Sequence, residues 1–298
     1  MAKMQEGFVN INNVPTLVTT FGRWITDPPE KKENEEIILL LPANNGSTGF
    51  YRLFMRILHT KYQCPVWIVA NSGHDIQPGE GAPKKILGLK EQTNQKIAFF
   101  KKYIPSTARV YLVGHSIGCH TALELLKDPD IERRVLKVCL LFPLIERLNE
   151  GQKGKNMKKF EKFEPILIFF AWLLYILPEI ISVNLMRAAK VAEKDIPFIL
   201  SSCNPAVLKQ VLYVASHELS DIRKRDDAII KKNIDKIRMI YEKEDGWLPT
   251  NCAEDLKRDI PKLKVEISNY KHAFYFDTSL ELAEKVSKWI SEEKQRYY

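Results

Sequence analysis

The ten residues Arg109-Val-Tyr-Leu-Val-Gly-His-Ser-Ile-Gly118 run a β-branched apolar stretch directly into a serine that has glycine two places away on either side. A serine so placed can serve as a nucleophile. Its hydroxyl has to stand above a sheet edge on a strained strand-to-helix turn, and side chains at the two flanking positions would collide there. Gly114 and Gly118 remove those collisions. Beyond the turn, Ile117, Thr121, Ala122 and Leu125 fall at helical spacing, so the strand, turn and helix that Ser116 requires are all legible.

A hydroxyl is a weak nucleophile at neutral pH. It needs an imidazole to take its proton and a carboxylate to fix the imidazole's tautomer and stabilise its cation. After a nucleophile on such a turn, the acid and then the histidine follow along the chain. Of the six histidines only His217 and His272 lie beyond the helical run that follows Ser116. His272, in the loop Asn-Tyr-Lys-His-Ala-Phe after the last strand-like run, is the candidate base, whereas His217 sits in a helical run and reads as a surface or packing residue. The candidate acid is Asp245, where Gly246 permits a sharp turn after a strand-like run. Glu242 and Glu244 are alternatives, but they precede the turn and read as solvated charges. The developing oxyanion needs two N–H donors. Ile117 offers one, and the loop Pro42-Ala43-Asn44-Asn45-Gly46 offers the other at Asn44 or a neighbour, although those residue types also suit a plain strand-to-helix turn. His115 and Cys119 read as packed side chains. His74 reads as a satisfied loop histidine, with lining of the pocket as the alternative.

The elements that must position these residues alternate. Strand-like runs at 37–41, 66–70, 110–113 and 135–141 are interleaved with helical patterns at 50–60, 87–103 and 117–127. That order argues a parallel sheet with helices on both faces. Upstream, 8–10 and 16–20, separated by Asn-Asn-Val-Pro, read as an antiparallel edge hairpin. The rhythm stops from 144 to 235, a long helical and irregular stretch. It resumes with a strand at 237–241, a short helix at 253–258, a strand at 265–267 and an amphipathic helix at 280–292. The expected fold is that of an α/β-hydrolase, a mostly parallel sheet flanked by helices, with its core (1–143 and 236–298) split by a helical lid (144–235).

A chain of 298 residues with 45% apolar and 28% charged content can bury a full core, which excludes a disordered protein. The five cysteines are scattered and lack CxxC spacing, so neither a disulfide framework nor a metal site is expected, and a reducing, cytosol-facing location fits. The first nine residues carry no apolar run after a basic start, so no cleaved secretory signal is expected and the sequon at Asn45 reads as silent. A net charge of +8 suits nucleic acid or an anionic membrane. With no zinc-finger spacing, ribonucleoprotein motif or basic heptads, nucleic acid is not an expected partner. Serine chemistry of this kind requires no cofactor.

The positive charge sits beside the most apolar segment. Residues 152–163 read QKGKNMKKFEKF, five lysines against one glutamate, and 165–185 read PILIFFAWLLYILPEIISVNL. As a helix, the uninterrupted apolar run 166–177 would cover about 18 Å, short of the roughly 30 Å hydrocarbon core of a bilayer. Pro178 and Glu179 interrupt it before a second apolar run, as in a helical hairpin dipping into one leaflet with lysines at the head groups. Phe163, Phe169, Phe170, Trp172, Leu173 and Tyr175 are the expected lipid-facing residues of this segment (163–185). The alternative is a pair of lid helices that bury them over the site. Both can hold, since a lid can open onto the surface that carries its substrate.

Taken together, Phe50-Tyr51, Ser72-Gly73-His74, Gly114-His115-Ser116-Ile117-Gly118, Leu141-Phe142-Pro143 with Ile145-Glu146-Arg147, Asp245-Gly246-Trp247 and His272 resemble the lipid droplet-associated serine hydrolase family, a branch of the α/β-hydrolases. The similarity runs from about Ile37 to the last helix. It implies Ser116 as nucleophile, Asp245 as acid, His272 as base, residence on the endoplasmic reticulum and lipid droplets, and an ester-lipid substrate such as cholesteryl ester. One loop departs from the family's Pro-Gly-Asn-Pro-Gly: Ala43 and Asn45 replace a glycine and a proline, and Ala43 would be strained if that position needs φ > 0. Two other functions fit the same residues: a lipid-droplet-binding protein whose hydrolase fold is weakly active or idle, and acyl transfer to an alcohol in place of water.

Overall fold

Successive side chains of the run 37–41 part to opposite sides: Ile37, Leu39 and Leu41 join one apolar cluster, Ile38 and Leu40 the other. A strand buried on both faces must be covered on both. In the computed structural model, which describes residues 3–29, 34–44, 47–80, 85–191, 193, 196–201 and 203–297, it lies inside an eight-stranded sheet. The strands are β1 (Met4–Ile11), β2 (Val14–Phe21), β3 (Glu36–Leu41), β4 (Val66–Val69), β5 (Arg109–His115), β6 (Val135–Leu141), β7 (Ile237–Glu242) and β8 (Lys264–Ser268), in the spatial order β1-β2-β4-β3-β5-β6-β7-β8. Pairing is parallel from β4 to β8 and antiparallel at β1–β2 and β2–β4. The edge hairpin turns more tightly than its Asn-Asn-Val-Pro spacer suggests. Asn12 (φ 48°) and Asn13 (φ 63°) alone make the bend, using asparagine's tolerance of the left-handed region, and Val14 and Pro15 belong to β2.

Helices α1 (Arg52–Tyr62), α2 (Leu89–Tyr103), α3 (Ile117–Leu125) and α4 (Pro129–Arg134) punctuate the first six strands. Between β6 and β7 run α5 (Gln152–Phe160), α6 (Glu164–Ile176), α7 (Glu179–Ala188), α8 (Ile196–Ser201), α9 (Pro205–Asp221) and α10 (Asp227–Lys232). After them, α11 (Cys252–Asp259) precedes β8 and α12 (Ser279–Tyr297) closes the chain. Phe54 and Leu58 of α1 meet Leu282, Val286 and Ile290 of α12 on one face of the sheet; α2, α3 and α11 supply Phe99, Leu123 and Leu256 to the other.

Pro178 divides the apolar segment as its position in the sequence implies. The start of α7 is tied to the end of α6 by the buried Ser182, whose hydroxyl donates to the Leu174 carbonyl at 2.9 Å, and α6 packs on α9. Among the described residues, no helix is long and apolar enough to cross a membrane. Twelve of the seventeen large apolar side chains exposed among those residues lie within 160–185, so this surface is a concentrated patch rather than scattered exposure. Phe163, Phe169, Phe170, Trp172 and Tyr175 all belong to it. Leu173 does not: it is half-buried.

The two ends of the insertion are tied together. Glu146, just after β6, accepts from Arg225, just before α10, at 2.6 Å, and Arg225 also reaches Asp227 (2.5 Å) and Asp259 (3.0 Å). Burial raises the Glu146 carboxyl despite this pairing, the mark of a desolvated ion pair. Removing one partner of such a pair costs about 3–5 kcal/mol, because the other charge is left buried. Arg225→Ala is therefore expected to lower the unfolding free energy by about 3 kcal/mol in urea denaturation. A loss within the roughly 1 kcal/mol range of surface pairs would contradict the clamp.

Candidate active site

Ser116 takes φ 57° and ψ −120° between β5 and α3, a conformation that non-glycine residues rarely hold unless their surroundings over-determine it. Those surroundings are visible. Its N–H donates to the Leu141 carbonyl (2.9 Å), and its own carbonyl accepts from Cys119 (3.0 Å) and Leu144 (3.2 Å). A Cβ on Gly118 would lie 2.1 Å from the Leu41 carbonyl oxygen, and one on Gly114 would lie 2.7 Å from that of Gly118. The two glycines thus let α3 start against the end of β3.

The sheet brings the three predicted side chains together from three loops, after β5, β7 and β8. His272 Nε2 is 2.8 Å from Ser116 Oγ, and His272 Nδ1 is 2.7 Å from Asp245 Oδ2. An imidazole that donates from Nδ1 to a carboxylate presents Nε2 as an acceptor for the hydroxyl proton. Ser116 and Asp245 are buried. Glu242 does not bond the imidazole. It accepts the His272 backbone N–H at 2.8 Å and pairs with Lys271 at 3.0 Å, which fixes the histidine loop. Glu244 is exposed, as its place before the turn implies. Lys153 is the unexpected neighbour, with Nζ 3.8 Å from Asp245 Oδ1 and 5.7 Å from the Trp247 ring centre. One lysine of the basic stretch therefore belongs to the site.

A second network stabilises the first. His115 Nε2 lies 2.9 Å from the His272 carbonyl, which can only accept, so the His115 proton is on Nε2. Its Nδ1 must then accept from the Tyr51 hydroxyl at 2.7 Å, and the Tyr51 oxygen accepts the Ala43 N–H at 3.0 Å. Burial, reinforced by nearby His272, holds His115 well below the usual histidine range, so it is neutral as this direction requires. One chain of bonds thus joins the loop after β3, the nucleophile strand and the histidine loop.

Asn44 lies on that first loop, and its own side chain is held. Nδ2 donates to the Val211 carbonyl of α9 (3.1 Å), and Oδ1 accepts from His74 Nε2 (2.9 Å). Burial and the charge of Lys96 push His74 down to about 3, which keeps it neutral. Among the described residues no acceptor bonds the N–H of Ile117 or of Asn44, whereas the Ala43 N–H is occupied by Tyr51. Ala43 is not among the residues of positive φ, so the replacement of glycine there brings no backbone strain. Asn45 and Gly46 lie outside the described residues.

The profile described as Lipid-droplet associated hydrolase matches residues 34–275. The chain belongs to that family. A lipid droplet-associated hydrolase of Drosophila melanogaster is 30% identical over 98% of this chain and 100% of its own length, and one of Mus musculus is 30% identical over 98% and 97%. Among solved structures, an α/β hydrolase enzyme from a Medee basin deep-sea metagenome library superposes with a TM-score of 0.66 at 13% identity, over 96% of this chain and 97% of that one, which establishes the fold alone.

In this hydrolase Ser116 and His272 open into a cavity of about 670 Å³, within the range of small-molecule sites. The insertion roofs it with Met157, Val211 and Glu218. Sequence reasoning passed over Glu218, although the signal exists: Gln210 and Glu218 are polar residues on the buried stripe of α9 with Val207 and Val214. Tyr51 had no spacing to mark it. His217 packs on Tyr213, with ring centres 4.5 Å apart, and the buried Cys119 thiol, pushed well up by burial, donates to the Gly114 carbonyl. Tyr51→Phe would leave the Ala43 N–H and His115 Nδ1 without their partner. It is expected to cost about 1–3 kcal/mol of stability in denaturant titration, and a neutral effect would contradict the bonded chain.

Proposed function

We propose that this protein hydrolyses the acyl ester of a lipid, cholesteryl ester or a related ester, at the cytosolic surface of lipid droplets and the endoplasmic reticulum. Ser116 Oγ attacks the acyl carbonyl while His272 Nε2 takes its proton. Asp245 holds the Nδ1–H and stabilises the imidazolium. The Ile117 and Asn44 backbone N–H groups receive the oxyanion. As the tetrahedral species collapses, the ester C–O bond breaks and the departing alcohol takes the proton from His272. Water, deprotonated by the same nitrogen, then attacks the acyl-enzyme, releasing the fatty acid and restoring Ser116. The observation that carries this reading is the single imidazole bonded to Ser116 on one side and Asp245 on the other.

The lipid-surface part rests on the family's name and on the apolar patch of α6 and α7. Covering the exposed half of a large apolar side chain is worth about 1 kcal/mol, so several together suffice for a monotopic anchor. The insertion, in this reading, is a lid whose inner helix α9 roofs the cavity and whose outer helices meet lipid. An idle hydrolase fold that only binds droplets would have no use for a strained serine held against an oriented imidazole.

With emulsified lipid ester, Ser116→Ala is expected to fall to background and Asp245→Asn to lose about 10⁴-fold in kcat, both at wild-type thermal midpoint. Wild-type turnover by Ser116→Ala would refute the serine mechanism. Changing Phe169, Phe170 and Trp172 together to serine is expected to weaken droplet binding in flotation by about tenfold or more. Flotation equal to wild type would refute the anchor.

A further inference from the structure

One acid in the cavity wall has no part in the steps above. Glu218 projects from the buried stripe of α9, is 6% exposed, and lines the same cavity as Ser116 and His272. Its Oε1 is buried and, among the described residues, has no hydrogen-bond partner; the Asn44 side-chain amide is the group that donates toward this carboxyl. Gln210, two turns earlier on the same stripe, is the contrast. Its amide accepts from the Leu87 N–H (2.9 Å) and donates to the Leu87 carbonyl (2.6 Å), so its polarity is consumed in holding α9 to the core. Glu218 lines the cavity with one oxygen left unpartnered in the wall, where an apolar residue would pack without that cost. Burial pushes its carboxyl up to about 8, so near neutral pH it is a carboxylic acid, with an O–H to donate and a C=O to accept. A hydroxyl is the substrate group that can answer either.

The position matters as much as the chemistry. Asn44 offers its backbone to the oxyanion in the proposed mechanism and its side chain to Glu218, so the acid borders the loop that would receive the ester carbonyl.

Resting on the esterase reading, we infer that Glu218 is a specificity residue that hydrogen-bonds a free hydroxyl close to the scissile ester, and that the preferred substrates are hydroxyl-bearing lipid esters rather than esters built of hydrocarbon alone. The hydroxyl can belong to a polyol alcohol or to the acyl chain. Sites built to bond a substrate hydroxyl discriminate against the analogue lacking it.

The test compares kcat/KM of the purified protein for 1-monooleoylglycerol, for the propyl ester of a 3-hydroxy fatty acid, and for their matched deoxy ester, propyl oleate, in mixed micelles. Wild type is expected to favour at least one hydroxylated ester by about tenfold or more, and which one is favoured locates the hydroxyl. In Glu218→Leu the ratio is expected to fall to near unity. Glu218→Gln, whose amide also donates and accepts, is expected to retain most of it. No preference in wild type overturns the proposal, as does a preference that survives in Glu218→Leu. A purely structural role would lower all three esters alike and leave the ratio intact. Ser116→Ala is run in parallel: turnover that persists there removes the esterase reading itself, a failure distinct from that of the hydroxyl preference.

Discussion

The left-handed turn at Ser116 is the constraint on which the rest of the site depends. Such a conformation costs about 1–3 kcal/mol for a residue with a side chain, and it holds only because β3, β5 and β6 arrive in register around it. Leu41 pairs with Gly114 and His115 with Leu141, which sets the Leu41 carbonyl against Gly118 and the Leu141 carbonyl against the Ser116 N–H. A shift of one residue in either pairing would turn the hydroxyl away from His272. The parallel sheet is therefore the device that lifts one serine to a fixed height and delivers two loops from neighbouring strands to meet it.

The insertion between β6 and β7 faces two ways. Inward, α9 is bonded to the core through Gln210 at Leu87 and through the Val211 carbonyl at Asn44, so the helix over the cavity also restrains the loop that carries Asn44. Outward, α6 and α7 present most of the large apolar side chains exposed among the described residues. The clamp of Glu146 and Arg225 ties the two ends of this unit together at its base. The packing of α6 on α9 joins the apolar outer face to the helix over the cavity.

Local pattern carried much of this into the sequence. The glycine spacing around Ser116, the Gly246 turn beside Asp245 and the loop position of His272 depend on short-range backbone geometry, which residue types report directly. The strand and helix rhythm was legible for the same reason. Side-chain wiring across the fold was not. His115 reads as packing because nothing near it in sequence reveals Tyr51 or the His272 carbonyl; Glu242 reads as solvated because its partner is the backbone of a loop 30 residues on. Lys153 is one lysine in a basic stretch until α5 is docked beside Asp245, and the partial burial of Leu173 comes only with the packing of the insertion. The last helix runs past the 280–292 expected of it because its apolar stripe ends at Ile290, while the polar residues beyond continue the helix to Tyr297.

The claim that His272 activates Ser116 is tested most directly by reacting the protein with a fluorophosphonate ester and mapping the adduct by peptide mass spectrometry. A single adduct on Ser116 is expected, its formation slowed by about a thousandfold or more in His272→Ala. An adduct elsewhere, no adduct in folded protein, or equal rates with and without the imidazole would contradict the account.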